Sequence, residues 1–559
     1  MSSGPPSFAG LRRAADQIKG SLLPSHSTAT TSLSKHLARE LVPPEDQDNA
    51  GRVLALKVCL DADPSRLEAL EGDQSAEEED ARRQIRQFVA GVLSPTFVRE
   101  DGDDDDLTHG DDLAGRRAKA VRRCKAYCSS GIAVLERVGL PVMQSPKGKV
   151  HEAIEGDDAQ VFYTLTALAD AGQPWTTDAA AESATCLLAG AFTHGDPDSG
   201  ASRAVKSLWI VDGILKQYLR PLFARSRPAT VTESGRKTEF ASGGGGGAMT
   251  DIASSESPRN KPWKYVDLRA ISVFSWAVHE ADGDLIRGNW PLFIPVLLAL
   301  IDDPDTTVRA RGLVLLRTFV EVVPRQGGAE GDASLLHATG LDSVLADAIF
   351  PTLLFLPRLT PEKESLQLLG PAYQALLSLA STAPAAGKHE LLSKPAADLL
   401  DRALRDGIYT GYFHANEHIH IVEELVRQAG YIVQAMGIYA DLMPLYGGIM
   451  TDPFAMRYIP AVAATVDALQ TTIATCWPRL ANTPWQEETL RMLMLCWLNA
   501  DEDTSGGADA KKHRADLQMR LVKTADTQLA VMRAAKADLD ATVGPLIAKE
   551  PRLKALFKL

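Results

Sequence analysis

The chain has 559 residues, of which 45% are hydrophobic and 6% aromatic, and its formal net charge is −13. This length is too great for one compact core, and runs of alternating β-branched residues between tight turns are almost absent, so the composition predicts an all-helical protein. The acidic balance argues against general nucleic-acid binding, which requires a basic surface.

Residues 1–50 are predicted to be a largely disordered N-terminal segment. They are rich in serine and contain no continuous apolar core of the kind that a secretory signal needs. The basic residues among the first 38 positions are also compatible with a mitochondrial targeting segment.

Residues 51–225 are predicted to form an irregular helical-repeat half, because apolar residues recur there at three- and four-residue spacing. The predicted helices cover residues 52–60, 81–93, 113–140, 158–171, 177–193 and 201–223. Two acid-rich stretches, residues 71–80 and 100–112, are expected to be solvated, disordered insertions because like charges repel. An acidic docking tail for a basic partner is the alternative interpretation of both stretches.

Residues 226–262 are predicted to be a flexible linker, because they are rich in glycine and serine and show no helical period. Five consecutive glycines occupy residues 243–247. A phosphate-binding loop is excluded there, since no Gly-Lys-Ser/Thr ending and no preceding strand accompany the glycines.

Residues 263–500 are predicted to form a HEAT-like repeat block, and its clearest unit spans residues 290–323. Pro295 lies inside the first helix and bends it, while Asp303 and Pro304 end that helix, because the residue before a proline avoids the α region. Arg309 lies early in the second helix, within reach of the acidic turn. A kinked helix, an Asp-Pro turn and a second helix opening with Val-Arg resemble the HEAT repeat.

Similar helix pairs follow along the chain. Residues 341–356 pair with 365–380, and residues 433–450 pair with 455–477. The residues that define the repeats are Pro295, Asp303, Pro304, Arg309, Pro351, Pro444, Asp452 and Pro453. Residues 508–559 are predicted to form a long helix to about residue 541 and a capping tail. The fold predicted for the whole chain is an all-α, HEAT-like α-solenoid with disordered acidic and glycine-rich insertions.

The string from His414 to His418 is the best catalytic candidate, because it fits the H-x-x-E-H pattern of inverted zinc peptidases. In that pattern two histidines four residues apart on a helix bind zinc, and Glu417 would activate water. No third ligand follows at a suitable spacing, which favours a polar surface at a repeat junction. We therefore assign no catalytic, cofactor-binding or metal-binding residue, expect no cofactor, and predict that the chain is not an enzyme.

The six cysteines are few for this length and mostly lie in apolar helical segments, so they are predicted to be reduced, buried side chains of a cytoplasmic or nuclear protein. Cys124 and Cys128 lie among basic residues, and a reactive thiol pair is the alternative for them. The longest uncharged apolar run, residues 288–301, contains two prolines and is shorter than the roughly 20 residues of a membrane span. We therefore expect no membrane-spanning helix.

Surface aromatic residues are the best candidates for contacts with other proteins, because tryptophan is enriched in interface hot spots. The candidate partner-binding residues are Trp263, Trp290, Trp477, Arg479, Trp485 and Trp497. The alternative for each tryptophan is that it fills a gap between stacked repeats.

Several strings in the second half resemble the Tel-two-interacting protein two family, in that family's order and best in its fungal branch. They lie at residues 261–264 (Lys-Pro-Trp-Lys), 290–303, 340–354, 356–362 and 476–480 (Cys-Trp-Pro-Arg-Leu). The resemblance implies a non-catalytic scaffold subunit of the TTT cochaperone complex that pairs directly with Tel-two-interacting protein one and also with Tel-two. It would act with the ninety-kilodalton heat-shock chaperone to mature phosphatidylinositol-3-kinase-related kinases, in DNA-damage signalling, telomere maintenance and growth control.

Other roles remain open for a helical-repeat protein of this kind. A transport-receptor-like or phosphatase-scaffold-like HEAT adaptor is the main alternative, and a zinc hydrolase at His414 and His418 is a remote one. The leading interpretation predicts protein partners, no nucleic-acid or membrane binding, and a location in the cytoplasm and nucleus. It also predicts that residues 255–559 bind the partner without residues 1–225.

Overall fold

The structure is a computed structural model of the whole chain, and the part described below has gaps. The described residues are 38, 49–62, 73–96, 110–141, 157–193, 200–226, 256–323, 335–383, 392–437, 441–481, 483–503 and 507–558. Over these ranges the chain forms helices and turns and contains no β-strand. The predicted all-helical fold class is therefore confirmed.

Contacts divide the described residues into two compact units. Unit 1 holds residues 38–226 and 256–296, and unit 2 holds residues 297–558. The division falls inside one helix, Gly283–Ile301. The glycine-rich residues 243–247 and most of the predicted linker lie outside the described residues, so the linker stays a prediction.

Unit 1 contains the six helices predicted between residues 51 and 225. They are α1 (Asn49–Ala62), α2 (Asp73–Leu93), α3 (Gly110–Val138), α4 (Asp157–Leu168), α5 (Asp178–Phe192) and a last segment formed by α6 (Gly200–Leu208), the π-helix Trp209–Leu219 and α7 (Arg220–Phe223). After the linker follow α8 (Pro262–Tyr265), α9 (Ala270–Glu280) and the first part of α10 (Gly283–Ile301). Helix α9 packs on α4 and on the π-helix.

Helices α2 and α3 are antiparallel neighbours. Arg82 Nη1 donates to the carbonyl of Val138 at 3.1 Å, and Cys124 Sγ donates to the carbonyl of Leu93 at 2.7 Å, so the two ends of the pair are held by different contacts. Cys128 and Ile132, which follow Cys124 at four-residue spacing on the same face of α3, are also buried.

The first acidic stretch differs from its prediction, because residues 73–80 form the opening turns of α2 instead of a loop. Glu78 is buried and accepts from Arg82 Nε at 3.1 Å, and Arg86 Nη2 donates to Glu79 at 2.5 Å. Such pairs between neighbouring turns offset the repulsion of the acids and allow a helix. Most of the second acidic stretch, residues 100–109, lies outside the described residues.

Unit 2 is a layer of successive helices that pack one on the next. The layer helices are α11 (Thr306–Val322), α14 (Glu362–Ser381), α17 (Ile419–Met436), α19 (Ile459–Leu480) and α21 (Ala508–Ala534). Shorter segments connect them: α12 (Leu335–Thr339), α13 (Leu341–Ile349), the 3-10 helix Phe350–Leu354, α15 (Lys394–Arg402), the π-helix Ala403–Tyr409, α16 (Thr410–Ala415), α18 (Met443–Met450), the 3-10 helix Pro453–Tyr458 and α20 (Pro484–Glu502). Packing of each layer helix on its neighbours in sequence is the pattern of a helical-repeat solenoid.

The clearest predicted repeat is present at the junction of α10 and α11. Pro295 lies inside α10, and Asp305 caps α11 by accepting from the backbone N–H groups of the first turn. Asp303 is buried, and Arg309 Nε donates to its backbone carbonyl at 3.0 Å rather than to its carboxylate. Arg309 Nη1 also donates to Thr352 Oγ1 at 3.1 Å, which ties the first turn of α11 to the following 3-10 helix.

The repeat predicted around Pro444 has a different construction. The predicted pairing treats residues 433–450 as one helix, but α17 ends at Met436, just before Gly437, whose φ is +70°, and Pro444 lies in the first turn of α18. The prediction of a single helix is therefore wrong, and Pro444 lies at the beginning of a second helix, where a proline is well tolerated, instead of inside one long helix as Pro295 does. Asp452 caps the 3-10 helix that starts at Pro453, and Pro351 likewise lies at the start of a 3-10 helix.

The C-terminal region ends in short helices that pack on the last layer helix. Helix α21 ends at Ala534, earlier than predicted, and Lys536 has a φ of 59°. The remaining segments are α22 (Leu539–Thr542), α23 (Gly544–Lys549) and α24 (Leu553–Phe557). Helix α24 packs on α20 and α21, with Leu556 and Phe557 buried.

Helix α10 is the one described helix that is long and apolar enough to cross a membrane, with 19 residues and a mean hydropathy of 1.4. Of its most apolar window, 61% is buried inside the protein. A buried core helix of a soluble protein meets the same criteria of length and composition, so this helix is only weak evidence for a membrane span.

Candidate partner-binding surfaces

Three of the predicted partner-binding tryptophans lie in the interior. Trp263 is fully buried, stacks on Phe223 with ring centroids 4.8 Å apart, and donates from Nε1 to Ser226 Oγ at 2.9 Å. Trp290 is buried in unit 1, and Trp497 is buried in unit 2, where its Nε1 donates to the carbonyl of Arg552 at 3.1 Å. These three side chains fill gaps between helices, so the structure corrects their assignment to a surface.

The other three predicted residues lie near the C-terminal end of α19 and the start of α20. Trp477 is 46% exposed, Arg479 is exposed and Trp485 is half-buried. Trp477 and Arg479 flank Pro478 in the last turn of α19. Of the predicted set, these residues alone are available to a partner.

The N-terminal ends of the layer helices lie along one edge of unit 2. Polar side chains join the first turns of successive helices at Thr306–Glu364 (2.8 Å), His418–Glu362 (3.3 Å) and Tyr458–Glu423 (2.8 Å). Because each contact joins the start of one layer helix to the start of the next, α11, α14, α17 and α19 run parallel with their starts side by side.

The three most exposed large hydrophobic side chains among the described residues belong to this edge. They are Leu359, Phe413 and Phe454, which are 90%, 77% and 70% exposed. Each one lies shortly before a layer helix: Leu359 before α14, Phe413 in α16 before α17, and Phe454 in the 3-10 helix before α19. We call these three residues the edge row. Since packed helices lie about 8–10 Å apart, the edge row extends over roughly 20 Å.

Charged residues accompany the edge row. Arg457 lies over the ring of Phe454, 5.5 Å from its centroid, and Arg358 precedes Leu359 in sequence. Exposed hydrophobic side chains with a polar rim are the usual composition of a protein interface. The edge row therefore has the exposure and composition of a protein-binding surface.

A groove between α17, α19 and α21 is a second concave feature of unit 2, with a volume of about 450 Å³. Gly430 lets the helices approach closely, because a Cβ there would lie 3.4 Å from Ala468. The charges in the groove are paired with one another: Arg427 bonds Glu423, and Arg520 bonds Asp516 at 2.8 Å. Because the charged side chains of the groove are already paired with one another, they are less available to a ligand than the exposed side chains of the edge row.

The zinc-peptidase string is divided between two helices. His414 lies in α16, whereas His418 is the residue before α17, so the two histidines do not share one helical turn. His418 Nδ1 lies 3.3 Å from Glu362, and His420 Nδ1 lies 2.9 Å from the Tyr458 hydroxyl. The described residues contain no group of three or more side chains placed to bind a metal ion. The string instead contributes to the polar contacts along the edge.

The predicted burial of the cysteines is correct for all but Cys186, which is exposed. Burial, with a smaller contribution from the neighbouring Cys128, raises the pKa of the Cys124 thiol to about 12, and Arg123 opposes this shift. A reactive thiol needs a lowered pKa. Both thiols of the pair are also buried, so the structure does not support the alternative of a reactive Cys124–Cys128 pair.

Sequence reasoning missed a buried charge network in unit 1. Arg269 Nε and Nη2 donate to the Asp267 carboxylate at 2.9 and 2.8 Å, and Nη1 donates to Thr164 Oγ1 at 3.0 Å. Burial raises the pKa of Tyr218 well above its ordinary value, and Asp267 raises it further. Two oppositely charged residues two positions apart are common on surfaces, so no sequence pattern indicates that this pair is buried.

A sequence model of the Tti2 family matches residues 161–457, from α4 to the 3-10 helix before α19. The chain belongs to the Tti2 family. This is the Tel-two-interacting protein two family that the sequence strings indicated. All three residues of the edge row lie inside the matched range, whereas Trp477, Arg479, Trp485 and Trp497 lie beyond it.

Tti2-family membership makes the chain a scaffold protein of the TTT complex, with protein partners inside that complex. A search of curated proteins found no match to the sequence. Among solved structures, one described as the crystal structure of SYS-1 at 2.6 Å resolution is similar over 89% of this chain and 86% of that chain, with 9% sequence identity and a TM-score of 0.29. This likeness is too slight to bear on function.

Proposed function

We propose that the chain is the non-catalytic scaffold subunit through which the TTT complex supports maturation of phosphatidylinositol-3-kinase-related kinases with the ninety-kilodalton heat-shock chaperone. It binds Tel-two-interacting protein one directly and meets Tel-two in the same complex. It acts in the cytoplasm and nucleus, in DNA-damage and growth signalling. The match to the Tti2 family over residues 161–457 is the observation that carries this proposal.

The edge row is the surface that we assign to the direct partner. Burying a large hydrophobic side chain contributes about 1.5–3 kcal/mol, so three of them supply a substantial part of a binding energy before the entropy cost of association. Their positions before successive layer helices let one partner contact three repeats at once. No other large hydrophobic side chain in the described ranges is as exposed.

Co-expression of the full-length chain with Tel-two-interacting protein one tests the proposal, with size-exclusion chromatography as the readout. The wild-type chain is expected to co-elute with the partner. A variant carrying Leu359→Ser, Phe413→Ser and Phe454→Ser is expected to lose co-elution while keeping its helical circular dichroism. Met519→Ser is the matched control, because Met519 is 64% exposed on α21, outside the edge row.

Two outcomes distinguish the proposed pairing with the partner from the assignment of the edge row as its binding surface. Failure of the wild-type chain to co-elute would refute direct pairing with this partner. Co-elution of the triple variant, together with loss in Trp477→Ala/Arg479→Ala, would keep the pairing and move the surface to the end of α19. In cells, loss of the chain is expected to lower the steady-state amount of the client kinases, and unchanged kinase levels would contradict the maturation role.

A further inference from the structure

The first half of α3 is the most basic surface segment in the described part of this acidic protein. Its cations are Arg116, Arg117, Lys119, Arg122, Arg123 and Lys125, and all six are exposed. No Asp or Glu occurs between residues 113 and 135. The opposite face of the helix is buried through Ala120, Cys124 and Cys128, which fixes the direction in which the basic side chains point.

Four of these cations have no ion pair with any residue in the described part of the chain. They are Arg117, Lys119, Arg122 and Lys125. Arg123 differs, because its Nη2 donates to the carbonyl of Ser94 at 2.9 Å, and Arg116 has contacts of its own. Most other exposed cations of α2 and α3 have acidic partners, as Arg137 does in Asp61 at 3.5 Å. Four unpaired like charges on a few helical turns repel one another, and an anionic ligand would relieve that repulsion.

Charge is the main property that unit 1 offers to a partner. Every exposed large hydrophobic side chain found over the described ranges belongs to unit 2. We propose that the outward face formed by Arg117, Lys119, Arg122 and Lys125 binds an extended acidic segment of a partner protein. This is a second interaction surface, separate from the edge row and independent of the proposed TTT role.

An acidic peptide fits the dimensions of this face. The four cations span nine residues, and the eight steps between the first and the last give roughly 12 Å at 1.5 Å per helical residue. In an extended segment, side chains on one face repeat at roughly 6.6 Å, so about three carboxylates cover the same length. Lys119, Arg122 and Lys125 recur at every third residue, so they form a slanted stripe on the outward face.

Nucleic acid and membrane fit the same face less well. Nucleic-acid binding typically involves about 6–10 phosphate contacts, and single strands also need exposed aromatic platforms. Unit 1 shows no such aromatic side chain among its described residues. The net charge of −13 repels an extended polyanion or an anionic membrane more strongly than a short acidic peptide.

Fluorescence anisotropy with the purified full-length chain tests the proposal. The probe is a labelled peptide in which Glu and Ser alternate, and the peptide with Gln in place of Glu is its uncharged control. Binding is expected at low salt and is expected to weaken as salt is added. The variant Arg117→Gln/Lys119→Gln/Arg122→Gln/Lys125→Gln is expected to bind roughly tenfold or more weakly, because each exposed ion pair contributes about 0.2–1 kcal/mol.

The matched control removes the same charge elsewhere. Lys511→Gln/Lys512→Gln/Lys523→Gln/Arg533→Gln neutralises four exposed cations of α21 and is expected to retain wild-type affinity. Equal loss in this control would overturn the proposal, because net charge alone would then explain binding. Absence of peptide binding by the wild-type chain, or equally tight binding of duplex DNA or phosphatidylserine vesicles, would also overturn it.

A further variant tests whether an acidic segment of the chain itself binds the basic face of α3. Residues 103–106 are four consecutive aspartates that precede α3 in the sequence. If the variant with Asn at these four positions binds the peptide and the wild-type chain does not, the chain's own acidic sequence occupies the face. That result would overturn the proposal of a partner segment.

Discussion

Replacing Arg309 by alanine is expected to destabilise unit 2 by about 3 kcal/mol. The guanidinium is buried, donates to the Asp303 carbonyl at 3.0 Å and to Thr352 Oγ1 at 3.1 Å, and lies 4.5 Å from the centroid of the Phe355 ring. Loss of two hydrogen bonds from a charged donor costs about 1.5–3 kcal/mol each at most, and loss of the cation–π contact costs about 0.5–2 kcal/mol. Water entering the space left by the side chain offsets part of this sum.

Urea unfolding followed by far-ultraviolet circular dichroism measures the effect. Arg317→Ala is the matched control, because Arg317 lies on the same helix and makes an exposed pair with Glu321 at 2.8 Å. Such a surface pair contributes about 0–1 kcal/mol, so the control is expected to change stability little. Arg309→Lys is expected to fall between the two, since lysine keeps the charge but cannot make both bonds in the planar geometry of the guanidinium.

Equal destabilisation by Arg309→Ala and Arg317→Ala would refute the reasoning. It would mean that the Asp-Pro turn and the start of α11 hold their positions without the buried guanidinium. The repeat-defining role of Arg309 would then reduce to helix propensity. Hydrogen exchange of the backbone amides in the turn gives an independent readout, because the loss is expected to appear first at residues 302–309.

Four further predictions concern other parts of the protein. Gly312→Ala is expected to destabilise unit 2 by about 1–3 kcal/mol, because the added Cβ would lie 3.0 Å from a backbone carbon of α10. Gly288→Ala is the control, because its Cβ would meet nothing within 4 Å, and it is expected to stabilise its helix slightly. Thermal unfolding measures both changes. In the native protein one thiol, that of Cys186, is expected to react rapidly with a thiol reagent, and all six after denaturation. Burial raises the pKa of Cys124 from 9.0 to about 12, so the unfolded thiol ionises first, and stability is expected to fall as pH rises between these values. Arg269→Ala is expected to cost unit 1 about 3–5 kcal/mol in urea unfolding, because it leaves a buried carboxylate unpaired.

Local sequence patterns predicted most of the helices and the clearest repeat junction. Apolar spacing of three and four residues is a property of single helices, so it could be read without knowing which helices are neighbours. The same holds for Asp303 and Arg309, which lie six residues apart across one turn. Pro444 is ambiguous in the sequence, because a proline can lie inside a bent helix or begin a new one, and Gly437 with its positive φ ends α17 before the proline.

Long-range packing determined what the sequence could not show. Trp263, Trp290 and Trp497 were assigned to the surface, but contacts from distant segments cover them, such as the Arg552 carbonyl over Trp497. The edge row is also invisible in the sequence, because Leu359 and Phe454 are far apart along the chain. They come to lie in one row, with Phe413 between them, only through the parallel packing of α14, α17 and α19.

The packing of unit 1 changes the experiment that would locate the partner surface. The sequence suggested testing residues 255–559 alone, but α9 belongs to the core of unit 1. Ser272 Oγ donates to Asp170 at 2.8 Å, and Trp276 stacks on Phe192 with centroids 5.8 Å apart. A fragment that starts at residue 255 would expose this face of α9, so loss of binding could arise from misfolding and retained binding from a newly exposed apolar surface. Substitutions at exposed positions of the full-length chain avoid both effects, since they leave the core of each unit intact.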